Sequence, residues 1–118
     1  MNTVVKGASE KPERYAQLAT ISLKKHEHEV VPVGLKEGIF NGIPIVTKDT
    51  KITDVDTVTL YVGPAHQPAW YDYILSLKPK RVIFNPGTEN PELELLLQKN
   101  GIQFTQACTL VLLSTSQY

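Results

Sequence analysis

Cysteine occurs once in the 118 residues, at Cys108, so no internal disulfide can brace the chain and a secreted disulfide scaffold is excluded. Long apolar runs are also missing. The longest lies within Thr109 to Leu113, far short of the roughly 18 residues that would suggest a membrane span. The segment Met1 to Lys6 lacks the basic region and apolar stretch of a secretory signal, so a cytoplasmic location is expected. Neither sign of charge dominates, because 12 Lys and Arg balance 12 Asp and Glu and the cations are scattered from Lys6 to Lys99. Without a concentrated basic surface, binding to duplex nucleic acid is not expected, whereas a small phosphorylated ligand fits. Cys-x-x-Cys and His-x-x-x-His are both absent, and His26 and His28 stand only one residue apart, so no structural metal is expected.

What is present is the composition of a folded domain, 42% hydrophobic and 20% charged. A chain of this size buries about two-thirds of the surface it exposes unfolded, enough for an ordinary core, and a single domain over residues 1–118 is expected. Val4-Val5 reads as a short strand ending in Gly7-Ala8-Ser9. Between Glu13 and His26, Tyr15, Leu18, Ala19 and Leu23 recur on one helical face. Glu29 to Val33 is a β-branched run bounded by His28 and Gly34, hence a second strand. From Leu35 to Asp56 no crossover helix is legible.

Thr57 to Val62 reads as the third strand, closed by Gly63-Pro64. Pro68 then opens a helix with Trp70, Tyr73, Ile74 and Leu77 on one face, which Pro79 stops. Arg81 to Phe84 is a fourth strand. Asn90-Pro91-Glu92 supplies an N-cap, a first-turn proline and an early acid for a helix that Gly101 ends. Ile102 to Thr105 is a fifth strand, and Thr109 to Ser114 fits either a helix or an extended segment. Strands alternating with helices predict an α/β, Rossmann-like doubly wound sheet of about five parallel strands with helices on both faces.

Ligands of such sheets bind beyond the carboxyl ends of the strands, where strand order reverses. Gly7-Ala8-Ser9 stands at such an end, so its backbone amides and the following helix terminus suit a phosphate or diphosphate. At the end of the second strand, Val31-Pro32-Val33-Gly34-Leu35-Lys36 offers no acid for an unphosphorylated ribose, and Lys36 suits a phosphorylated one. That ribose occurs in NADP and in coenzyme A, and a solvated Lys36 remains the plainer alternative.

Taken in order, Gly7-Ala8-Ser9 with Pro12 and Arg14, Val30-Val31-Pro32-Val33, Gly42-Ile43-Pro44-Ile45, Asp54-Val55-Asp56 and Asn85-Pro86-Gly87 make the chain resemble the CoA-binding domain family. These are small stand-alone relatives of the nucleotide-binding domain in the succinyl-CoA ligase α subunit. The resemblance implies a Rossmann-like domain that binds coenzyme A, acyl-CoA or a similar nucleotide. It implies Gly7, Ala8 and Ser9 at the diphosphate and Pro32, Val33, Gly34 and Lys36 beside the adenosine. Val62, Gly63 and Pro64 with Asn85, Pro86 and Gly87 would line the pantetheine side. Ligase activity is not implied, since the domain that supplies the ligase's phosphorylated histidine has no counterpart in these residues.

Arg14 could clamp a phosphate with its bidentate fork, or pair with Glu10 or Glu13. Cys108, after the fifth strand, lies where a thiol would approach the pantetheine end, although inert packing is its default role. His66 falls on the ligand side, but a structural or solvated role outweighs catalysis. Trp70, Tyr71 and Tyr73 read chiefly as core. Asp54 with Asp56, and Glu92 with Glu94, read as structural pairs.

The leading expectation is a non-catalytic or regulatory binder of coenzyme A. One alternative is an NADP-dependent oxidoreductase or redox module acting with a partner. Another is a protein-interaction module that has lost the ligand. A monomer or homodimer is expected, with room for an unknown protein partner.

Overall fold

The structure, a computed structural model, describes residues 2–6, 15–34, 37–40, 42–47 and 51–118. Strand β1 (Asn2–Lys6) leads to helix α1 (Tyr15–Lys25) and strand β2 (Glu29–Val33). A small antiparallel hairpin, β3 (Gly38–Phe40) with β4 (Ile43–Ile45), occupies the stretch where no crossover helix is legible. Beyond it come β5 (Val55–Leu60), two 3-10 turns at Pro64–His66 and Pro68–Trp70, and α2 (Tyr71–Ser76). The chain continues through β6 (Arg81–Phe84), α3 (Pro91–Lys99), β7 (Gln103–Gln106) and α4 (Thr109–Ser114).

The five longer strands form one parallel sheet in the order β2-β1-β5-β6-β7. Rossmann-like winding, as expected, is therefore the fold. The chain steps outward from β1 to β2, returns to β5 on the other side of β1, and proceeds outward to β7. Strand order thus reverses between β1 and β5, which places the switch point at their carboxyl ends.

Side chains alternate across each strand, and the register sorts them into two unlike faces. Val4, Val58, Val82 and Phe104 share one row, and Leu60 and Phe84 share the next. Most of them join Trp70, Ile74, Leu93 and Leu97 from the α2 and α3 side in the larger core. The opposite face is different. Its rows include Thr3 beside Thr57 and Arg81, then Val5 beside Thr59 and Ile83. Val5, Ala16, Leu23 and Leu113 form only a small core there, beneath α1 and α4.

Threonine is tolerated on that face because its hydroxyls find partners. Thr59 and Thr109 join at 2.7 Å, and Thr3 bonds the Tyr118 hydroxyl at 2.8 Å. Thr57 accepts from Arg81 Nε at 2.9 Å and donates to Asp56 at 2.8 Å. An unpaired buried hydroxyl would cost about 1–3 kcal/mol, so these contacts permit the polar row.

Local signals set the element ends. Asn90 caps α3, its side chain accepting from the amides of Glu92 and Leu93, with Pro91 in the first turn. After α2, Lys78 takes a φ of 49° and Pro79 prevents continuation. The expected helix opening at Pro68 is divided, its first turn being 3-10 and only Tyr71–Ser76 α-helical. Thr109–Ser114, open between two readings from sequence, is a helix. Among the described residues no helix is long and apolar enough to cross a membrane.

Candidate functional site

Beside the switch point, the carboxyl ends of β5 and its outer neighbour β6 pass into loops held by side-chain amides. Gln67, 1% exposed, donates from Nε2 to the Val62 and Thr88 carbonyls, both at 2.8 Å. Its Oε1 accepts from Asn90 Nδ2 at 2.9 Å, and Asn90 Nδ2 also donates to the Tyr71 hydroxyl at 2.7 Å. Two amides therefore tie the loop after β5, the loop after β6 and the start of α3 into one unit.

Asn85 makes a second knot. Its Nδ2 donates to Thr59 Oγ1 at 2.6 Å and to the Leu60 carbonyl at 2.9 Å, while its Oδ1 accepts from the Thr109 amide at 2.9 Å. With its side chain so engaged and 2% exposed, Asn85 positions the edge and leaves contact to its neighbours. Pro86 and Gly87 are exposed beside it, as are Gly63 and Pro64 on the β5 side. A Cβ built on Gly63 or Gly87 meets nothing within 4 Å, so both turns face open space. Gly87 holds a φ of 91°, which a side chain would strain, and its amide donates to Glu89 Oε1 at 2.9 Å.

At the β2 end, Pro32, Val33 and Gly34 are buried. Val33 packs in the larger core and the Gly34 amide donates to the Val46 carbonyl at 2.9 Å, so any approach to a ligand there is by backbone. Val62 is half-buried, its carbonyl taken by Gln67. Cys108 is a half-buried free thiol that starts α4, without a side-chain cap bond. Gly7, Ala8, Ser9, Arg14 and Lys36, which the sequence nominates for phosphate contacts, lie outside the described residues.

Two polar atoms near this edge are buried without hydrogen-bond partners: Gln17 Nε2, in the first turn of α1, and the Tyr61 hydroxyl, just after β5. Burial pushes the Tyr61 phenol up to about 12. The hydroxyls of Thr59 and Thr109 offset this in part, but they are bonded to each other and no well-formed hydrogen bond reaches the phenol.

The other candidates are placed as follows. Trp70 is buried and meets Tyr73 edge-on at 5.6 Å. His26 is exposed and bonds the Ser22 carbonyl at 2.8 Å, and His28 meets the Tyr118 ring edge-on at 4.8 Å. His66 is exposed in the 3-10 turn after β5. Among the described residues, no group of three or more His, Cys, Asp or Glu could hold a metal ion. Sequence reasoning did not find Gln67, whose partners lie in loops remote in the chain. It did find Asn90, but only as a cap.

Fold and edge together define a Rossmann-like α/β domain whose strand order reverses at the carboxyl ends of β1 and β5, the place where sheets of this kind bind ligands. A family model for the CoA binding domain matches residues 1–114, and the chain belongs to that family. No curated protein matches it. A solved crystal structure of an uncharacterised protein is 53% identical, with 99% of this chain and 97% of that one covered and a TM-score of 0.94. A Thermus thermophilus structure is 23% identical, covering 99% of this chain and 90% of its own with a TM-score of 0.86. A hypothetical protein from Pyrococcus horikoshii is 24% identical, covering 93% and 78%, with a TM-score of 0.79. At those identities the last two speak for the fold alone.

Proposed function

We propose that this protein binds coenzyme A, or an acyl-CoA, across the carboxyl edge of the sheet, and that it does so as a non-catalytic or regulatory binder. The observation that supports this most is the match of the CoA binding domain to residues 1–114 of a chain whose strand order reverses at β1 and β5. In this reading Gly7, Ala8 and Ser9 receive the diphosphate on their backbone amides, aided by the amino end of α1 and by Arg14. Lys36 pairs with the ribose phosphate, beside the backbone of Pro32 to Gly34. Val62 to Pro64 and Asn85 to Gly87 border the pantetheine arm, which ends near Cys108.

The amide knots support the same reading. Gln67, Asn90 and Asn85 fix the two loops before any ligand arrives, so little ordering entropy remains to oppose binding. Gln17 Nε2 adds a buried donor in need of an acceptor at the end of α1 that follows the phosphate-binding turn. Binding, not catalysis, is proposed because the described edge offers no nucleophile paired with a base. His66 and Cys108 stand in separate loops, and no interaction joins them.

Thermal unfolding with coenzyme A, acetyl-CoA, NADP and NAD tests the reading. A ligand at 100 times its Kd stabilises by about 2.7 kcal/mol, a rise in Tm of roughly 10 °C for a domain of this size. Coenzyme A and acetyl-CoA are expected to give that rise and NAD none. A shift with NADP alone would favour a redox module, and no shift with any of the four would leave an interaction module as the better account. As a residue-level check, Gln17→Met is expected to leave the free protein as stable as before and to weaken coenzyme A several-fold by calorimetry.

A further inference from the structure

The two edges of the sheet are protected unequally. At the β2 edge the strand contains Pro32, and the segment after the hairpin closes over it, Val46 donating to the Pro32 carbonyl at 3.0 Å and accepting from Gly34 at 2.9 Å. Among the described residues nothing covers the β7 edge in this way. All four of its residues, Gln103, Phe104, Thr105 and Gln106, are exposed, and they include no charge, no proline and no bulge in the register with β6. Exposed edge strands ordinarily carry such devices to avoid pairing with another chain.

The unpaired groups are identifiable. Gln103 and Ala107 donate their amides inward, to the Lys80 carbonyl at 3.3 Å and the Phe84 carbonyl at 3.1 Å. By the alternation of an extended strand, Phe104 and Gln106 turn their N–H and C=O outward. Beside β7 a groove of about 310 Å³, its lining including Arg81, Gln103, Thr105 and Gln117 together with the apolar Ala107 and Leu112, leaves the strand uncovered. Phe104 is 36% exposed, its ring edge-on to Phe84 at 6.0 Å.

We propose that this edge pairs antiparallel with β7 of a second copy of this chain, joining the two sheets about a two-fold axis at Thr105. In that register Phe104 faces Gln106 of the other copy and exchanges both backbone hydrogen bonds with it. Thr105 faces its own counterpart in the closer, non-hydrogen-bonded position, a favourable β-branched pair. Charge favours this occupant. Glu94 stands at the carboxyl end of β7, where it accepts from Gln106 at 2.8 Å; at the amino end Lys80, just before β6, takes the Gln103 amide on its carbonyl, and Lys99 closes the helix that leads into β7. Antiparallel pairing brings the acidic end of one copy to the basic end of the other, twice. The carboxyl edge of β1 and β5, on the far side of β6, stays open in the dimer.

A contact of four residues a side is smaller than a standard interface, so the dimer forms reversibly in the micromolar range. Sedimentation equilibrium from about 1 μM to about 1 mM protein is expected to show it, weakening with added salt. Gln106→Pro removes an outward N–H and no inward backbone hydrogen bond, losing besides only the exposed side-chain bond to Glu94, and is expected to raise the dimer Kd at least tenfold with little change in Tm. Should that variant not fold, Thr105→Arg sets two like charges opposite each other on an exposed position and is expected to do the same. Mixing Thr105→Arg with Thr105→Glu should restore a dimer, which an edge occupied by any other partner would not do. A wild-type protein that stays monomeric to about 1 mM, or a dimer indifferent to both substitutions, overturns the proposal.

Discussion

At the scale of single residues, the carboxyl edge is governed by side-chain amides whose hydrogen bonds cannot be replaced. Asn85→Ala would leave the Leu60 carbonyl and the Thr109 amide without their partner inside the protein. The expected loss is about 3 kcal/mol, read as a lower urea midpoint with unchanged slope, together with weaker binding of coenzyme A. Tyr61 should behave oppositely. Its hydroxyl is buried without a partner, so Tyr61→Phe is expected to match or exceed the wild-type Tm at pH 7. The sign of the pH effect follows from a phenol that ionises near 10 when unfolded and at about 12 when folded. Below pH 10 both states are protonated and the contribution is whole; as pH rises toward 12 the unfolded state loses its proton first and stability falls. Urea titrations across that window should show a shallower decline for Tyr61→Phe than for the wild type.

At the scale of elements, Asn90 does two things with one side chain. It caps α3 through Oδ1, and through Nδ2 it fastens that helix to Gln67 and Tyr71. Asn90→Ser keeps a capping oxygen and loses the amide. It is expected to cost less than Asn90→Ala, for which about 2 kcal/mol is expected, but to loosen the loops equally, so the two variants should differ in Tm and agree in coenzyme A affinity. The cap itself is plain in Asn90-Pro91-Glu92, and β2 and β6 are plain in β-branched runs bounded by turns. All three elements appear with the expected limits. The β3–β4 hairpin is not legible, because each strand has three residues, one of them Pro44, too few for an alternation to register. Gln67 is equally silent. A glutamine between Pro64 and Pro68 carries no pattern, and its role arises only when folding brings Val62 and Thr88 to either side of it. The phosphate contacts expected of Gly7 to Ser9, Arg14 and Lys36 remain expectations, since these residues lie outside the described set.

At the scale of the whole molecule, the end of the chain is joined to its beginning. The Tyr118 hydroxyl bonds Thr3 in β1, its ring receives the Arg81 guanidinium at 4.5 Å, and His28 meets it edge-on. One side chain thus touches β1, the turn before β2, and β6, all at the amino edge of the sheet, opposite the edge proposed to bind the ligand. The small core beneath α1 and α4 gives this contact weight. Among the described residues the cluster there is small, Val5, Ala16, Leu23 and Leu113 with Tyr118 packed against it, so α4 depends on what anchors the residues that follow it. A part-buried hydrogen bond contributes about 1 kcal/mol and the cation–π and ring contacts about 0.5–1 kcal/mol each, so Tyr118→Ala is expected to cost about 2 kcal/mol. Tyr118→Phe keeps the ring contacts and should lose only about half of that. Because the contact lies at the amino edge, coenzyme A affinity should hardly change in either variant, while amide exchange in α4 should speed up in Tyr118→Ala. Protection in α4 equal to wild type would mean that the helix is held by Thr59 and Asn85 alone, and that the carboxyl edge, where the ligand is proposed to bind, also secures this end of the fold.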